Sequence, residues 1–497
     1  MIACIIYLLV IFFLIYKNNF FGVFKDDKIK PKTFTAFFLL KVIAIPVFYL
    51  VYKKMYGGIE KFDAGKFYSD SVIINDYAKN DTIGYLKLLF GMQDETPGTN
   101  LYDNYIIHTT QWDNGRIKDY LYNDNRVVIR VHSLIHFIAF NSYYVHALLS
   151  CFLSFVGIIY LYKSLKGFFI GKEFFVLIIL CFLPALWFYT GALLKEGLVI
   201  FVFGNILYSL KKTFSGQNTL PTFVWLLLMV FLSLFLKPYL LFFATFFFLL
   251  FFWINYSEKI KYKSLVLISS LIAVIFTLNC LSLAFKKRSL MEAAIIHQRV
   301  FADASKGGIF LLDGVKFVRV EFDSSLVKKV DNNDSVLTIK KNVPYIYWEH
   351  THQQDTLFSS GNTDTLTKYK LVYQLPKSGS NIAIDPASDN LFSVGFSCLY
   401  YSLFHPFFFN SKSLLQHLAS LENLFILISI FIFLFGIIQN KKVVFPALAF
   451  IVFALLLCLL IGLTTPNSGA IFRYRSPAVI FILLAALYYW PVTKNNR

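Results

Sequence analysis

Charged residues are scarce in this sequence: only 15% of its 497 residues are Asp, Glu, Lys or Arg, and 57% are hydrophobic. A soluble domain carries about 25% charged residues, so the composition excludes an ordinary water-soluble fold. Several segments approach the ~20 apolar residues that cross about 30 Å of hydrocarbon. They lie at 143–162, 221–236, 239–255, 264–284, 423–439, 443–463 and 473–490. The sequence therefore predicts a polytopic membrane protein.

The motifs of several catalytic classes are missing. The sequence contains no P-loop, no GxGxxG after a strand, no GxSxG, no HExxH and no CxxC. These absences argue against nucleotide-driven transport by this chain alone and against a dedicated zinc site. His350 and His352 alternate onto one face of a predicted strand, but no third metal ligand follows at a diagnostic spacing. We predict no protein metal site, and leave open a divalent metal ion that bridges a substrate phosphate.

A signal-peptide pattern is also missing. Met1–Tyr16 lacks a basic start and a small-residue cleavage site, so we interpret it as a retained first span. The six cysteines mostly fall in apolar segments and identify no redox compartment. Despite the net charge of +18, the lysines punctuate apolar spans and form no patch with stacking aromatic residues. We therefore predict no nucleic-acid partner.

Lysines after alternate predicted spans define one side of the membrane, because short cytoplasmic loops collect Lys and Arg. These clusters are Lys17 to Lys32, Lys163 to Lys172, Lys211 and Lys212, Lys259 to Lys263, and Lys441 and Lys442. We predict about eleven transmembrane helices in the inner (cytoplasmic) membrane of a cell. The N-terminus lies outside in this topology, and the C-terminal Lys494–Arg497 lies inside.

The predicted fold class is an all-α polytopic membrane protein with two extracytoplasmic caps, the second of them α+β with a small sheet. The predicted parts are two transmembrane helices in 1–53, an outer loop with an interfacial helix in 54–142, helices three to eight in 143–284, the second cap in 285–421, and helices nine to eleven with a short cytoplasmic tail in 422–497. In the caps, 126–142 is typical of an interfacial amphipathic helix, and 306–375 alternates as strands do. We interpret the apolar stretch 392–409 as re-entrant or interfacial.

The first candidate catalytic residue is Asp63, a few residues beyond the second predicted span in GGIEKFDAGKFYSD. A base that deprotonates a hydroxyl attacking a lipid-linked donor must stand at the membrane surface, since the donor phosphate stays at headgroup level. The alternative is that Asp63 and Asp70 only cap the helix that starts after them. The sequence leaves both interpretations open.

Four cations lie at the outer ends of predicted spans, where positive charge is normally sparse. They are Lys195, Lys237, Arg473 and Arg475. A charge at a helix end within the bilayer is costly unless it is paired or functional, and Arg side chains suit phosphate oxygens. Together these cations could bind a phosphate or diphosphate. Alternatively, Lys195 pairs with Glu196 or another acid, and the other three reach lipid headgroups.

The stretch 130–210 resembles the C-type (GT-C) membrane glycosyltransferases and is similar to bacterial O-antigen and exopolysaccharide polymerases. It combines the interfacial helix, a span ending in YLYK, a short loop, and LPALWFYTGALLKE turning into the next span. Those families have an acidic residue in the first outer loop as base, matched here by Asp63. They also have an Arg-Tyr turn before a late span, matched by RYRSP at 473–477.

The resemblance implies a polyprenyl-phosphate or polyprenyl-diphosphate sugar donor in the outer leaflet. It also implies a glycan or glycolipid acceptor, contact with membrane lipid, and a role in cell-surface glycan assembly. Asp63 would be the general base, and the residues around it would bind the substrate and neutralise the leaving phosphate. This substrate-binding set is Lys195, Glu196, Lys237, Arg473, Arg475 and Arg130.

Other functions stay open. A repeat-unit polymerase or a ligase would differ mainly in its acceptor. A transporter or flippase is disfavoured because we find no internal repeat and no matching Gly/Pro-broken spans, and predict no mid-span charge of the proton-relay kind. A non-enzymatic envelope assembly subunit would use the caps as docking surfaces and would need no catalytic carboxylate.

Overall fold

The structure is a computed structural model that describes residues 2–17, 20–96, 98–112, 124–217, 219–237, 239–256, 262–286, 390–411, 413–441, 444–465 and 467–491. It also describes 289–292, 294, 295, 298, 382 and the backbone of eight strands between 308 and 375. The predicted metal candidates His350 and His352 and the tail 492–497 lie outside the described residues.

Helices make up most of the described chain, as the long apolar runs predict. They are α1 (Ile2–Tyr16), α2 (Pro31–Val42), α3 (Ala44–Tyr56), α4 (Asp63–Asn80), α5 (Thr82–Leu89), α6 (Asn100–Asn104), α7 (Asn125–Ala139), α8 (Tyr143–Leu165), α9 (Glu173–Phe182), α10 (Pro184–Tyr189), α11 (Lys195–Phe214), α12 (Leu220–Leu236), α13 (Tyr239–Tyr256), α14 (Lys263–Lys286), α15 (Leu391–Phe404), α16 (Leu414–Asn440), α17 (Phe445–Thr464), α18 (Ser468–Tyr474) and α19 (Ser476–Tyr489). Short 3₁₀ turns lie at Ile59–Lys61, Ile106–His108, Lys166–Phe168 and Phe408–Asn410.

The strands lie within the 306–375 stretch. They are β1 (Gly308–Asp313), β2 (Lys316–Val320), β3 (Val327–Lys329), β4 (Leu337–Lys340), β5 (Pro344–Trp348), β6 (Gln354–Phe358), β7 (Thr363–Leu366) and β8 (Lys370–Leu375). One sheet has the order β6-β5-β2-β1-β8 and the other has the order β3-β4-β7. All pairs are antiparallel, and the β1–β8 register shifts between Phe310 and Leu311.

The chain has the helices of a membrane protein. Six described helical segments are long and apolar enough to cross a bilayer: Pro31–Met55, Tyr143–Phe168, Lys195–Phe214, Leu265–Ala284, Leu414–Asn440 and Phe445–Thr464. A seventh is added if α18 and α19, bent by 55° at their junction, form one broken span. The predicted count of about eleven is therefore not confirmed. The other apolar helices, at 2–16, 173–182, 220–236, 239–255 and 392–404, have 10–17 residues and are shorter than the ~20 residues typical of a span.

Two spans touch through glycines. A Cβ atom on Gly204 of α11 would lie 2.0 Å from the carbonyl oxygen of Gly157 of α8, and one on Gly157 would lie 2.5 Å from the Ile200 carbonyl oxygen. Small residues allow this close backbone approach between helices in a membrane. The close contact extends to the first turn of α11, where a Cβ atom added to Gly197 would lie 3.4 Å from the Ser150 carbonyl oxygen. The first turn of α11 therefore lies beside α8.

Helix α7 covers most of the predicted interfacial segment 126–142. It packs against α4 and α8, and its buried face carries Val128 and Ile129 together with two histidines described below. Leu134, Phe137 and Ile138 are exposed on its other face. A helix with polar residues inside and apolar residues outside fits a position against lipid better than one in water.

Candidate functional site

The first two residues of α11, Lys195 and Glu196, face different partners. Leu194 is extended (φ −131°, ψ 166°), and no side chain caps the helix. A carboxylate in the first turn is favourable next to the positive end of the helix dipole, whereas an ammonium group is unfavourable there. Lys195 therefore needs an acid from elsewhere in the chain. It pairs with Asp124 and not with Glu196.

Asp124 binds two lysines at once. Its Oδ1 lies 2.5 Å from Lys195 Nζ and its Oδ2 lies 2.6 Å from Lys237 Nζ, and all three side chains are mostly buried. Burial raises the pKa of the Asp124 carboxyl, but Lys237 and Lys195 outweigh this and keep that pKa well below its usual range. Burial lowers the pKa of Lys237, but Asp124 outweighs this and raises it above its ordinary value. Asp124 and Lys237 are therefore charged at neutral pH.

Arg473 binds the two remaining carboxylates. Its Nε donates to Glu196 Oε1 at 2.5 Å and its Nη1 donates to Asp63 Oδ2 at 3.3 Å. Its guanidinium lies 5.8 Å from the ring centre of Tyr189 and 5.9 Å from that of Tyr474. The Arg473 side chain is 15% exposed, whereas that of Asp63 is 51% exposed. Asp63 is therefore the accessible edge of an otherwise enclosed group of charges.

We call this group the ion cluster. Its members are the cations Lys195, Lys237 and Arg473 and the carboxylates Asp63, Asp124 and Glu196. Three positive charges meet three negative ones, so the cluster is balanced without a ligand. The interpretation in which Lys237 and Arg473 reach lipid headgroups is wrong for this arrangement, because both are paired within the protein.

The space beside the ion cluster is small. A cavity of about 20 Å³ is lined by Tyr189, Glu196, Tyr239, Arg473 and Tyr474 among others. Such a volume holds about one water molecule. The Oε2 atom of Glu196 is buried and has no hydrogen-bond partner among the residues described. A sugar phosphate can therefore reach the cations only if a carboxylate of the cluster moves away.

Neither of the two candidate capping acids caps a helix. The N-cap of α4 is Phe62, without a side-chain cap hydrogen bond, and Asp63 is the first helical residue. Asp70 is buried inside α4, and its two oxygens accept hydrogen bonds from the backbone N–H groups of 110–112 at 2.6–2.9 Å. Burial raises the pKa of Asp70, although these N–H groups act in the opposite direction. The capping interpretation is therefore wrong: Asp63 forms an ion pair, and Asp70 anchors a loop.

Arg475 lies apart from the ion cluster, although it is only two residues from Arg473. It is fully buried, its Nε lies 3.3 Å from Glu422 Oε1, and its Nη1 donates to the Ser402 carbonyl at 2.9 Å. Glu422 Oε2 also accepts a hydrogen bond from the Ala185 N–H at 3.0 Å. Residues two apart on a helix do not share a face. The expected phosphate contact of Arg475 is thus corrected: it joins α10, α15 and α16 to the start of α19.

Arg130 also lies apart from the ion cluster. Its guanidinium carbon is 5.0 Å from the ring centre of Trp112, and its Nε donates to the Leu88 carbonyl at 3.2 Å. Arg126 lies 5.2 Å from the same ring and forms a 2.8 Å ion pair with Glu95. Two arginines thus flank the buried indole. The expected substrate contact of Arg130 is corrected to a contact within the loop that precedes α7.

Three buried histidines form a chain that was not predicted from the sequence. His132 Nδ1 lies 3.0 Å from His146 Nδ1, and His146 Nε2 lies 3.2 Å from His136 Nδ1. The Oγ of Ser71 lies 2.9 Å from His136 Nε2, and the Oγ of Ser150 lies 3.3 Å from His132 Nε2. The spacing of four between His132 and His136 on an amphipathic helix was the available signal. Nothing in the sequence placed His146 beside them.

Two charged residues are buried away from the ends of their spans, contrary to the expectation of no buried mid-span charge. Lys41, in Pro31–Met55, is fully buried and donates to Thr190 Oγ1. Across the described ranges, no carboxylate lies within 4.0 Å of its ammonium group. Glu422, in Leu414–Asn440, is buried with Arg475. The prediction of no buried mid-span charge is therefore wrong, and the spans no longer disfavour a transporter on this ground.

The described residues do not fit a metal site. Among them, no group of three or more His, Cys, Asp or Glu side chains is placed to hold a metal ion. Asp63 and Glu196 both bind Arg473, and Asp124 binds Lys195 and Lys237, so the carboxylates of the ion cluster are already paired with cations. We therefore assign no step to a divalent ion.

Comparison with known proteins gives no match. No family model, no curated protein and no solved structure is similar to the chain. The functional conclusion therefore depends on the geometry of the site and on the resemblance in its sequence.

Proposed function

We propose that the chain is a GT-C-like membrane glycosyltransferase that moves a sugar from a polyprenyl-phosphate or polyprenyl-diphosphate donor to a glycan or glycolipid acceptor. The main support is the position of Arg473 between Glu196 and the accessible Asp63, at 2.5 and 3.3 Å. Lys195 and Lys237 lie in the same cluster. Transfer from a lipid phosphate needs a base for the attacking hydroxyl and cations for the leaving phosphate.

The proposed location of this reaction is the extracytoplasmic face of the inner membrane, in cell-surface glycan assembly. Lysine-rich loops on the opposite side support this orientation, with the N-terminus outside. The two long connections, 54–142 and 285–421, then form caps over the ion cluster side of the membrane. A lipid-linked donor carries its phosphate at headgroup level, where Asp63 would meet it.

In the proposed reaction, Asp63 takes the proton of the acceptor hydroxyl as that oxygen bonds to the anomeric carbon of the donor. The bond from this carbon to the phosphate oxygen breaks, and its electron pair leaves with the phosphate. Lys195 and Lys237 bind the phosphate in place of Asp124, since both anions offer two oxygens to two ammonium groups. Arg473 stays paired with Glu196 and releases Asp63, whose freed carboxylate then accepts the proton.

A polymerase of lipid-linked repeat units, or a ligase, uses the same chemistry with a larger acceptor. Asp63 is half exposed, and this exposure does not favour one acceptor size over another. The acceptor therefore distinguishes these enzymes, and the ion cluster does not.

A second candidate function is a proton-coupled flippase or transporter of a lipid-linked substrate. The observation that favours it is Lys41, an ammonium group buried inside a span without a described carboxylate partner. Ionisable residues at such positions commonly mark ion or substrate pathways. In this function Asp63 would have no role as a base.

The test compares lipid-linked and surface glycans by mass spectrometry in strains that carry the wild-type protein, a deletion, Asp63→Asn, or Asp103→Asn. Asp103 is an exposed acid of the same loop outside the ion cluster, so Asp103→Asn is the matched control. We expect a lipid-linked precursor to accumulate in the deletion and in Asp63→Asn at normal protein level, and not in the control.

Normal glycan assembly by Asp63→Asn would refute the transferase. If Asp63→Asn assembled glycan normally while the deletion strain accumulated precursor, the flippase would become the better explanation. Unchanged glycans in the deletion strain would indicate an envelope assembly subunit or an unrelated substrate.

A further inference from the structure

Apart from the ion cluster, the structure contains a histidine chain, which we define as His132, His136 and His146 with Ser71 and Ser150 at its ends. It links three elements: Ser71 is on α4, two of the histidines are on α7, and His146 and Ser150 are on α8. All five side chains are buried. Four successive contacts of 2.9–3.3 Å connect them.

One assignment of the hydrogen bonds in the chain starts from the Tyr68 carbonyl, which can only accept. Ser71 Oγ donates to this carbonyl at 2.7 Å, and in this assignment it accepts from His136 Nε2. A neutral imidazole donates from one nitrogen and accepts at the other. His136 Nδ1 therefore accepts from His146 Nε2, and His146 Nδ1 accepts from His132 Nδ1. His132 Nε2 is then an acceptor, and Ser150 donates to it.

This pattern satisfies every ring nitrogen with three neutral histidines. It predicts protons on Nε2 of His136 and His146 and on Nδ1 of His132. Burial lowers the pKa of His132 from 6.5 to about 3, and the neighbouring His136 acts in the same direction. Burial also lowers the pKa of His136, although a hydrogen bond with Asn141 and the charge of Asp76 oppose it.

Both ends of the histidine chain are hydroxyl groups, so the histidine chain can accept one more proton. A hydroxyl can turn from donor to acceptor. If His132 Nε2 gains a proton, it donates to Ser150 Oγ, whose own hydrogen rotates away. The rings then pass the charge along by moving the Nδ1 proton of His132 to His146 and the Nε2 proton of His146 to His136. At no stage does a donor face another donor.

The charges around the chain favour the Ser71 end for this extra proton. Asp76 and Lys79, both on α4, act on His136 with opposite signs, and Asp76 is the stronger of the two. The phenol rings of Tyr68, Tyr143 and Tyr85 lie around the chain from α4, α8 and α5. Helix α11, which packs on α7 and α8, contributes Lys195 and Glu196 in its first turn, both already paired in the ion cluster.

We propose that the histidine chain is a proton-binding site that holds one excess proton shared by its three rings and moves it between its Ser150 end and its Ser71 end. The site is separate from the ion cluster and does not depend on the transferase proposal. Its ligand is a single proton, taken up on acidification.

The test uses the full chain in lipid nanodiscs with ¹⁵N-labelled histidine, titrated from pH 7 to below pH 3, because the pKa of His132 is lowered to about 3. Ring ¹⁵N shifts report both the tautomer and the protonation of each histidine. At pH 7 we expect the Nε2–H, Nε2–H and Nδ1–H forms for His136, His146 and His132. On acidification the three rings should change together, at one pH. The exposed His108 lies outside the histidine chain and serves as the internal reference for the ¹⁵N shifts.

The matched variant is His146→Gln. A glutamine amide donates to His136 and accepts from His132, so it keeps both hydrogen bonds and the fold, but it cannot carry a proton. We expect His132 and His136 to titrate at different pH values in this variant. Separate titration of the three rings in the wild type would overturn the proposal. So would joint titration of His132 and His136 in His146→Gln, or a different set of tautomers at pH 7.

Discussion

The buried ion pair between Arg475 and Glu422 leads to a prediction that separates Arg475 from Arg473. In Arg475→Ala, the Glu422 carboxylate keeps its hydrogen bond from the Ala185 N–H at 3.0 Å but loses its only described cation. Removing one partner of a buried pair costs about 3–5 kcal/mol, since it leaves an uncompensated charge in a dry interior. At 1.4 kcal/mol per factor of ten, that is a hundred-fold to several-thousand-fold loss in the folding equilibrium.

The assay is thermal unfolding of purified protein in detergent, followed by the loss of the monodisperse peak in fluorescence-detected gel filtration. We expect Arg475→Ala to melt far below the wild type, and the double variant Arg475→Met with Glu422→Gln to recover most of the loss, because no charge is then left unpaired. Arg473→Ala should lose less than Arg475→Ala, since one of its two partners, Asp63, is half exposed, although Glu196 also loses its cation. An Arg475→Ala protein that melts normally but has lost glycan transfer would refute this reasoning and return Arg475 to the substrate site.

Three further predictions follow from the ion cluster, the glycine contact and the histidines. Asp124→Asn removes the anion that competes for the two lysines, so inorganic diphosphate should bind about tenfold tighter in low-salt calorimetry, or about 1.4 kcal/mol; unchanged affinity would contradict this. Gly204→Ala places a methyl group 2.0 Å from a backbone oxygen and should cost about 1–3 kcal/mol, whereas Gly395→Ala, with 3.9 Å of clearance, should melt like the wild type. Burial lowers the folded-state pKa of His132 to about 3, whereas the ordinary pKa of histidine is 6.5, so the unfolded state takes up a proton first as the pH drops. The free energy of unfolding is therefore highest above pH 6.5 and falls from pH 6.5 toward pH 3, by up to about 1.4 kcal/mol per pH unit. His132→Gln should therefore show a smaller loss of melting temperature between pH 7 and pH 5 than the wild type does.

The existence of the membrane helices could be predicted from the sequence, because a long run of apolar residues is stable in a bilayer and not in water. The number of spans could not, since runs such as 220–236 are close to the limit of ~20 residues and are bounded by turns. The run 392–409 shows the same limit: its helix ends at Phe404, before a turn at His405 and Pro406. Length and composition indicate helices in such cases, but packing decides whether they cross.

The candidate site was predicted in part. Asp63, Glu196, Lys195, Lys237 and Arg473 do lie together, and their common signal was charge at the end of an apolar run. The partner of the two lysines, Asp124, could not be inferred, because the contact with Lys195 spans 71 residues of sequence. Tertiary ion pairs of this kind leave no local pattern in a single sequence.

Arg475 shows why neighbouring cations were wrongly grouped. In the sequence it shares one motif with Arg473, but the 55° bend between α18 and α19 falls between them. One side chain then turns toward α11 and the other toward α15 and α16. The spacing of the two arginines does not reveal this bend. Pro477 does not reveal it either, because proline is common in the first turn of any helix.

Helix α7 connects the ion cluster to the outer surface of the helix bundle. Leu134, Phe137 and Ile138 are exposed on its outer face, and the residue directly before its first turn is Asp124. In the proposed function this face lies against the acyl chains, so a thinner or thicker bilayer would change the depth of α7 and the position of Asp124 relative to Lys195 and Lys237. We then expect the rate of the proposed transfer to depend on the length of the acyl chains.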